Sequence, residues 1–308
     1  DLVTAGQILG PRIYSTGPGV FGDYVQDPIK DLDDARRILK RYSEYYHTKT
    51  FKMYMSGNRQ QRQWLVIAAR EQNLMPTTEG GLSLEYNLTM LQDGYPGQEH
   101  SYPIYPLFQD IIGLTAFSKQ TYTPTLLVSY GGPFGENYYY TNENPHDDAK
   151  LRTFTPHSEV DAKTRRRGPG NGPGPAGWFM DEEYIFSRHA EIANKIVLQG
   201  GKVGVGSHGQ LQGLGYQWEL WSVASGGMSA HNALRAATIF GAEGIGLQGD
   251  IGSIEPGKMA DMVILNSNPL DNIRNTNDIR WVMKNGRLYE GNTLDEVWPR
   301  KRKAQFTR

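Results

Sequence analysis

The feature of this sequence that most constrains the fold is a repeated pairing of a short apolar segment with a helical one. Each apolar segment is typical of a buried strand and ends in a polar or glycine-rich turn, with an amphipathic segment beside it along the chain. Strands that alternate with helices in this way form βα units and a parallel sheet. The predicted strand segments are 10–20, 49–57, 74–81, 97–103, 122–132 and 202–209.

The polar and unusual residues of these segments fall at their carboxyl ends. A (β/α)8 barrel of the TIM type places its chemistry at that end of its strands, so the pattern predicts an α/β fold built on such a barrel. A doubly wound open sheet is the alternative. It has less support, because no GxGxxG follows the first strand segment and no phosphate-loop motif is present.

Two regions depart from the repeat. The segment at about 133–180 is too long for an ordinary βα loop and predicts an insertion that could cover the barrel mouth, with a mobile Gly/Pro-rich part at 168–177. Beyond it, short strands are joined by turns, and KNGR carries an Asn-Gly hairpin signal. We predict a barrel domain at 1–245, β-sandwich strands at 246–292 and a charged tail at 293–308.

The composition argues against several classes of protein. The 32 basic and 33 acidic residues give a net charge of −1, which does not favour a nucleic-acid binder, and the basic run TRRRG is interpreted as a solvated loop. No apolar run reaches the roughly 18 residues that a membrane span needs. The first residues lack the basic start and apolar core of a signal peptide. The absence of cysteine removes disulfides, thiolate ligands and a cysteine nucleophile.

A long C-terminal phrase carries a resemblance to a known family. ALRAATIFGAEGIGLQGDIGSIEPGKMADMVILNSNPL resembles the end of the amidohydrolase superfamily, closest to its imidazolonepropionase-like branch. FKMYMSG, GQEHSYP and YTPTLLVSYGGPFGENYYY are similar to barrel segments of large bacterial proteins that carry an N-terminal β-propeller. The resemblance implies a barrel with a small β-sandwich, a divalent metal and hydrolysis of a C–N bond. It favours a periplasmic or secreted location.

The resemblance also implies that part of the barrel lies outside these 308 residues. The family has an HxH motif on its first barrel strand, and this sequence contains none, while the first strand segment found here resembles the family's third. We therefore expect an N-terminal portion of the same protein to supply the first two strands, half of the β-sandwich and, in that branch, a β-propeller. Alone, the chain is expected to bind metal poorly and to be inactive. A homo-oligomer is a further expected partner.

The family's ligand positions can be carried over to five residues. Lys52 matches a carboxylated lysine at the end of the fourth barrel strand, and His100 matches a histidine at the end of the sixth. Thr77 or Thr78 stands where the fifth strand usually ends in a histidine. His208, in GSHG, stands in the place of the family's aspartate at the end of the eighth strand.

The exchange of aspartate for His208 changes the expected metal site. The aspartate contacts the metal and takes a proton from the attacking water, and a neutral imidazole can do either but brings no negative charge. We therefore predict one ion, Zn²⁺ or another divalent metal, held by His100 and His208, with His208 as the catalytic base and Lys52 as a further ligand. Two alternatives stay open: a salt bridge between Lys52 and Glu79, and a His208 that merely ends a strand.

A second group of residues is predicted to bind substrate. Tyr130, Asn137 and Tyr138 follow the segment 122–132 and could line a pocket, although an aromatic cluster there is as often lid packing. Gln210 lies in GQLQGLG, which is rich enough in glycine to cradle an anion but is no phosphate-loop motif.

The other histidines are interpreted as structural or solvated. His189 and His231 lie in helical segments and are predicted to be structural. His47, His146 and His157 lie in loops or at helix ends and are predicted to be solvated, although His157 could reach the barrel mouth from the insertion.

Two functional classes follow. The first is a metal-dependent hydrolase of an amide or other C–N bond, in a small molecule, a peptide or a cyclic amide. The second is a degenerate, non-catalytic barrel that serves as a binding or assembly module, which the departures at two ligand positions would explain.

Overall fold

The computed structural model describes residues 2–3, 5–21, 29–46, 48–55, 57–166 and 178–304. His47, the Gly/Pro-rich part at 168–177 and the end of the tail, about which the sequence made predictions, lie outside the described residues.

The barrel region contains a parallel sheet of five strands. Their hydrogen-bonded order is β1-β2-β3-β4-β5, which is also their order along the chain, and every neighbouring pair is parallel. This is the strand order that successive βα units produce. The strands are β1 (Thr50–Met53), β2 (Met75–Glu79), β3 (Gly97–Glu99), β4 (Thr121–Thr123) and β5 (Lys202–Val203).

The segment 10–20, predicted as the first strand, joins this sheet only at its last residue. Val20 forms an isolated parallel bridge with Met53, and its N–H donates to the carbonyl of Lys52 at 2.8 Å. Pro11 and Pro18 lack the N–H that a strand ladder needs, and Gly17 has a φ of 68°, so the residues before Val20 cannot continue the ladder. The prediction of a full strand at 10–20 was therefore wrong.

The helices pack beside the strands as the βα pattern predicts. Their starts are specified locally: the side chain of Asp31 accepts from the N–H of Asp34, and Asn58 forms a capping box with Gln61. The helices are α1 (Leu32–Glu44), α2 (Arg59–Glu71), α3 (Leu84–Asp93), α4 (Gln109–Phe117), α5 (Gly135–Asn142), α6 (Ala149–Phe154), α7 (His157–Lys163), α8 (Phe186–Leu198), α9 (Leu214–Ser225), α10 (Ala230–Ala236) and α11 (Ile239–Gly244).

The two faces of the parallel sheet differ in chemistry. On the face toward the helices, Phe51, Met53, Tyr122 and Val203 are fully buried in two apolar clusters. On the other face the strand alternation places polar residues, which the registers Lys52↔Thr77 and Glu79↔Glu99 bring side by side. The outward face therefore belongs to the apolar core, and the polar inward face can form a site. The inward polar residues include Lys52, Thr77, Glu79, Glu99 and Thr123.

The C-terminal region forms a separate antiparallel sheet in the order β6-β7-β8-β9. The predicted KNGR hairpin is present: Lys284 pairs with Arg287, and Asn285 and Gly286 have φ values of 50° and 75°, as a type I′ turn requires. The strands are β6 (Met262–Leu265), β7 (Ile279–Lys284), β8 (Arg287–Glu290) and β9 (Glu296–Trp298). None of the helices in the described part of the chain is long and apolar enough to cross a bilayer.

Candidate functional site

The inward face of the sheet carries side-chain contacts between neighbouring strands. Lys52 Nζ lies 2.7 Å from Glu79 Oε2, and Thr77 donates its hydroxyl hydrogen to Glu99 Oε1 at 2.6 Å. The salt bridge proposed from the sequence as the alternative role of Lys52 is therefore present.

The two carboxyl groups have opposite pKa shifts. Burial alone would raise the pKa of Glu79, but the hydrogen bond and charge of Lys52 outweigh it and hold that pKa below its ordinary value. Tyr130 adds a hydrogen bond, donating to Glu79 Oε1 at 3.2 Å. Burial raises the pKa of Glu99, although Thr77 and Thr123 donate to it. The site thus combines the ionised carboxylate of Glu79 with the carboxyl group of Glu99, which binds a proton more readily.

His100 follows β3 directly and is held in an unusual backbone conformation. Its φ is 70°, in the left-handed region that few non-glycine residues adopt, and only 3% of its surface is exposed. Its ring stacks on Tyr130 with centroids 4.7 Å apart, and its Nδ1 is buried without a hydrogen-bond partner. Burial lowers the pKa of His100 to about 4, so the ring is neutral at neutral pH.

His208 reaches the same place from β5. Gly204 and Gly206 follow β5 and pass close to Thr123, and a Cβ on Gly204 would come within 2.9 Å of Thr123 Oγ1, so a larger residue there would displace the Thr123 side chain. The chain then turns at His208, whose φ is 48°, and its ring centroid lies 5.4 Å from that of His100. His208 is exposed where His100 is buried. The structure therefore brings together the two histidines predicted to converge at the mouth.

Glu219, a residue that the sequence analysis missed, fixes the loop from which Tyr130 projects. It is completely buried in α9 and accepts from the N–H groups of Leu126 (2.7 Å) and Leu127 (2.9 Å), in the 3₁₀ turn after β4. Burial raises the pKa of Glu219 to about 8, with the two N–H donors opposing the shift. One acid within the aromatic run YQWELW was the available signal, since buried acids are rare unless they have partners.

The residues predicted to bind substrate separate into two groups. Tyr130 lies in the site, against His100 and Glu79. Tyr138 instead packs against other aromatic rings, and its ring centroid lies 5.5 Å from that of Tyr184. This contact fits the alternative role of lid packing. The side chain of Gln210 donates to the carbonyl of Arg165 at 2.9 Å.

The remaining predicted site residues lie around the same sheet. Asn137 is buried in α5, and its carbonyl accepts from the hydroxyl of Thr141 at 3.0 Å. Thr78 points to the helix side of the sheet and is fully buried, whereas Thr77 lies on the inward face.

Two histidines predicted to be structural lie in helices. His189 is 1% exposed in α8, and His231 is exposed at the start of α10. Burial lowers the pKa of His189 to about 4, although a hydrogen bond with the backbone of Tyr130 opposes the shift. His189 thus supports the segment that carries Tyr130.

We expect His189 to make folding sensitive to acid. The unfolded chain binds the proton of this histidine near its ordinary pKa of 6.5, whereas the folded chain does so only near about 4. The contribution of neutral His189 to the unfolding free energy is therefore complete above pH 6.5 and is lost as the pH falls toward 4. Between pH 7 and pH 5 its share of the unfolding free energy should fall by about 2 kcal/mol.

Urea unfolding of the wild type and of His189→Gln at both pH values measures this share. The difference between the two proteins isolates His189, since Glu99 and Glu219, with raised pKa values, favour folding as the pH falls. An equal pH dependence in both proteins would contradict the expectation.

We expect the Lys52–Glu79 pair to show energetic coupling. Both side chains are only about a fifth exposed, at 22% and 21%, so the pair is partly shielded from solvent. A double-mutant cycle of Lys52→Met and Glu79→Gln should give a coupling free energy of about 1–2 kcal/mol. Additive effects on the unfolding free energy would show that the two charges act independently.

The donor set fits a metal ion in part. His100 offers a buried ring nitrogen without a partner, and His208 offers a second imidazole. Within the described residues, however, no acidic residue or third histidine joins these two in a three-donor group. His100 and His208 can thus supply two ligands, and a stable site needs others.

The parallel sheet with its polar mouth, together with the antiparallel sheet, has the architecture of amidohydrolase barrels. Residues 180–289 match the amidohydrolase family. A 5-methylthioadenosine/S-adenosylhomocysteine deaminase from Teredinibacter turnerae is 50% identical over 44 residues, which are 14% of this chain and 10% of that protein. The resemblance to amidohydrolases is confirmed over residues 180–289. The imidazolonepropionase-like branch stays a prediction, and the chain matches only a small part of this curated relative.

Two solved structures share the fold. A Xaa-Pro dipeptidase with bound methionine is 19% identical with a TM-score of 0.63, over 94% of this chain and 71% of its own. Phenylurea hydrolase B is 17% identical with a TM-score of 0.62, over 95% of this chain and 71% of its own. The predicted fold class is confirmed, and five parallel strands of such a barrel lie within the described residues. The predicted β-propeller and the domain boundaries stay predictions.

Proposed function

We propose that this chain forms part of the active site of a hydrolase that acts on an amide or other C–N bond and uses one divalent metal ion, with Zn²⁺ as the first candidate. The observation that carries the proposal is the convergence of His100 and His208 at the carboxyl end of the parallel sheet, with a buried, unpartnered nitrogen on His100. The amidohydrolase match supports it, as do the deaminase, dipeptidase and phenylurea hydrolase among the similar proteins.

The residues of the site have distinct roles in this proposal. His100 and His208 would hold the ion, which when bound supplies Lewis acidity toward a scissile carbonyl and toward water. Neutral imidazole has a single lone-pair nitrogen, so in any one step the exposed ring of His208 either binds the ion or accepts a proton from water that enters the mouth. Lys52 keeps Glu79 ionised, and Tyr130, which donates to Glu79, holds the ring of His100 by stacking.

The remaining ligands would come from barrel strands in an N-terminal portion of the same protein. The solved relatives extend well beyond the part that this chain covers, which leaves room for such strands. A peptide or a cyclic amide is the proposed substrate, and a periplasmic or secreted location is the proposed site of action.

The test measures metal content and hydrolysis on the given chain and on any longer natural protein that contains it. The substrates are Xaa-Pro dipeptides, cyclic amides and aryl ureas, and the variants are His100→Asn and, as a matched control on an exposed helix, His231→Asn. His100→Asn should lose the metal equivalent of the barrel and the activity, while His231→Asn keeps both. A metal-loaded, fully active His100→Asn protein would refute the proposal.

The second candidate is a non-catalytic barrel that binds a ligand or assembles with a partner. The Lys52–Glu79 salt bridge favours it, because Lys52 then serves structure instead of a metal. A protein that binds no stoichiometric metal and hydrolyses none of these substrates would support this candidate over the first.

A further inference from the structure

A second cluster of metal-ligand residues lies outside the barrel strands, in the helical segment between β4 and β5. His157 and Asp161 face one another at positions i and i+4 of α7, with His157 Nδ1 3.1 Å from Asp161 Oδ2. His146 comes from the 3₁₀ turn Pro145–Asp147, with its Nε2 3.7 Å from Asp161 Oδ1. The three donor atoms all lie within 4.8 Å of one another, and no other such group is found among the described residues.

The spacing of these donors matches a metal centre. Two ligands that each lie about 2.0–2.2 Å from a tetrahedral ion are about 3.3–3.6 Å apart, which falls between the two distances to Asp161. The two imidazole rings are 5.5 Å apart and tilted, not stacked. Small rotations of exposed side chains would therefore suffice to bring the three donors onto one ion.

The backbone that carries the donors is anchored. Pro145 and Val160 are buried, and Tyr140 donates its hydroxyl hydrogen to the carbonyl of Lys163 at the end of α7. His146 Nε2 also lies 3.5 Å from Thr164 Oγ1, at the end of α7. Binding thus requires little ordering of the main chain.

The geometry points to a divalent transition-metal site at His146, His157 and Asp161, separate from the proposed barrel site. Two imidazoles and one carboxylate are the ligands that Zn²⁺, Co²⁺ and Ni²⁺ accept, and a fourth position is left for water. This second site takes no part in the proposed hydrolysis, and the inference does not depend on that proposal.

The site also has a structural consequence. Lys163, the last residue of α7, donates to the side chain of Gln212 at 2.9 Å, and Gln210 donates to the carbonyl of Arg165 at 2.9 Å. Both glutamines belong to the loop that follows His208. An ion that joins α7 to the turn at His146 would therefore fasten the segment against which this loop rests.

The test is a titration of the metal-free chain with Zn²⁺ and with Co²⁺, followed by calorimetry and by the visible absorption of Co²⁺. The variants are His157→Ala, whose side chain is 78% exposed and so can be removed without disturbing the fold, and His231→Ala as an exposed control. Each is also made with His100→Asn, which separates this site from the barrel.

The wild type should bind one equivalent that His157→Ala weakens at least ten-fold, in the presence and absence of His100→Asn, while His231→Ala leaves it unchanged. Saturating Zn²⁺ should raise the unfolding temperature of the wild type and not of His157→Ala. Equal binding by His157→Ala and the wild type, or no binding by either, would show that the three side chains form ordinary ion pairs. Loss of this equivalent in His100→Asn, with His157→Ala still binding it, would place the ion in the barrel and would overturn the second site.

Discussion

Glu219→Leu should destabilise the protein by about 3–5 kcal/mol, because two buried N–H groups lose their acceptor together. Leu126 and Leu127 donate to the two oxygens of this fully buried carboxyl group, and Leu fills most of the volume without an acceptor. Glu219→Gln keeps one acceptor oxygen and should cost less. The unfolding free energy from urea titration measures both variants.

The matched control is Glu85→Leu, the same substitution at an exposed position in the first turn of α3. It should cost no more than about 1 kcal/mol. If Glu219→Leu costs as little, the turn after β4 does not depend on Glu219, and Tyr130 is positioned by other contacts.

The contacts of Glu219 illustrate what a sequence pattern cannot predict. Local signals predicted the strands and helices well, since apolar runs, capping residues and glycine turns act over a few residues. The partners of Glu219 are more than 90 residues away along the chain, at Leu126 and Leu127. Only the packing of α9 against the loop after β4 brings them together.

The candidate site, too, could be predicted only in part from the sequence. Resemblance placed His100 and His208 at strand ends, and the parallel sheet does bring them within 5.4 Å of each other. The salt bridge of Lys52 depends on the register of β1 against β2, which brings Glu79 within reach, whereas a ligand role for Lys52 stays a prediction. The strand prediction at 10–20 failed for a local reason, because the prolines and glycines of this segment oppose the strand that its apolar residues favour.

The cluster of His146, His157 and Asp161 could be predicted only in part from the sequence. The i,i+4 spacing of His157 and Asp161 is visible in the sequence and puts them on one face of a helix. His146 joins them only through the fold of the intervening helix α6, so the sequence alone predicted it to be solvated.

His208→Asn should lower the rate of hydrolysis by about 10²–10⁴-fold if the proposed function holds, because an amide cannot accept a proton from water. The fold should be unaffected, since His208 is exposed and asparagine tolerates the left-handed backbone that the φ of 48° requires. The unfolding free energy should therefore change by no more than about 0.5 kcal/mol. Turnover of the best substrate found in the panel, measured with saturating metal, gives the rate.

His208→Asp separates the two roles of this position. Aspartate is the residue that the amidohydrolase resemblance places here, it fits the same backbone conformation, and it both binds metal and accepts a proton. We expect His208→Asp to keep much more activity than His208→Asn, with His231→Asn as active as the wild type. If His208→Asn and His208→Asp are equally inactive, the imidazole itself is required, as a ligand or for substrate binding. If His208→Asn is fully active, His208 only ends a strand and is not the catalytic base.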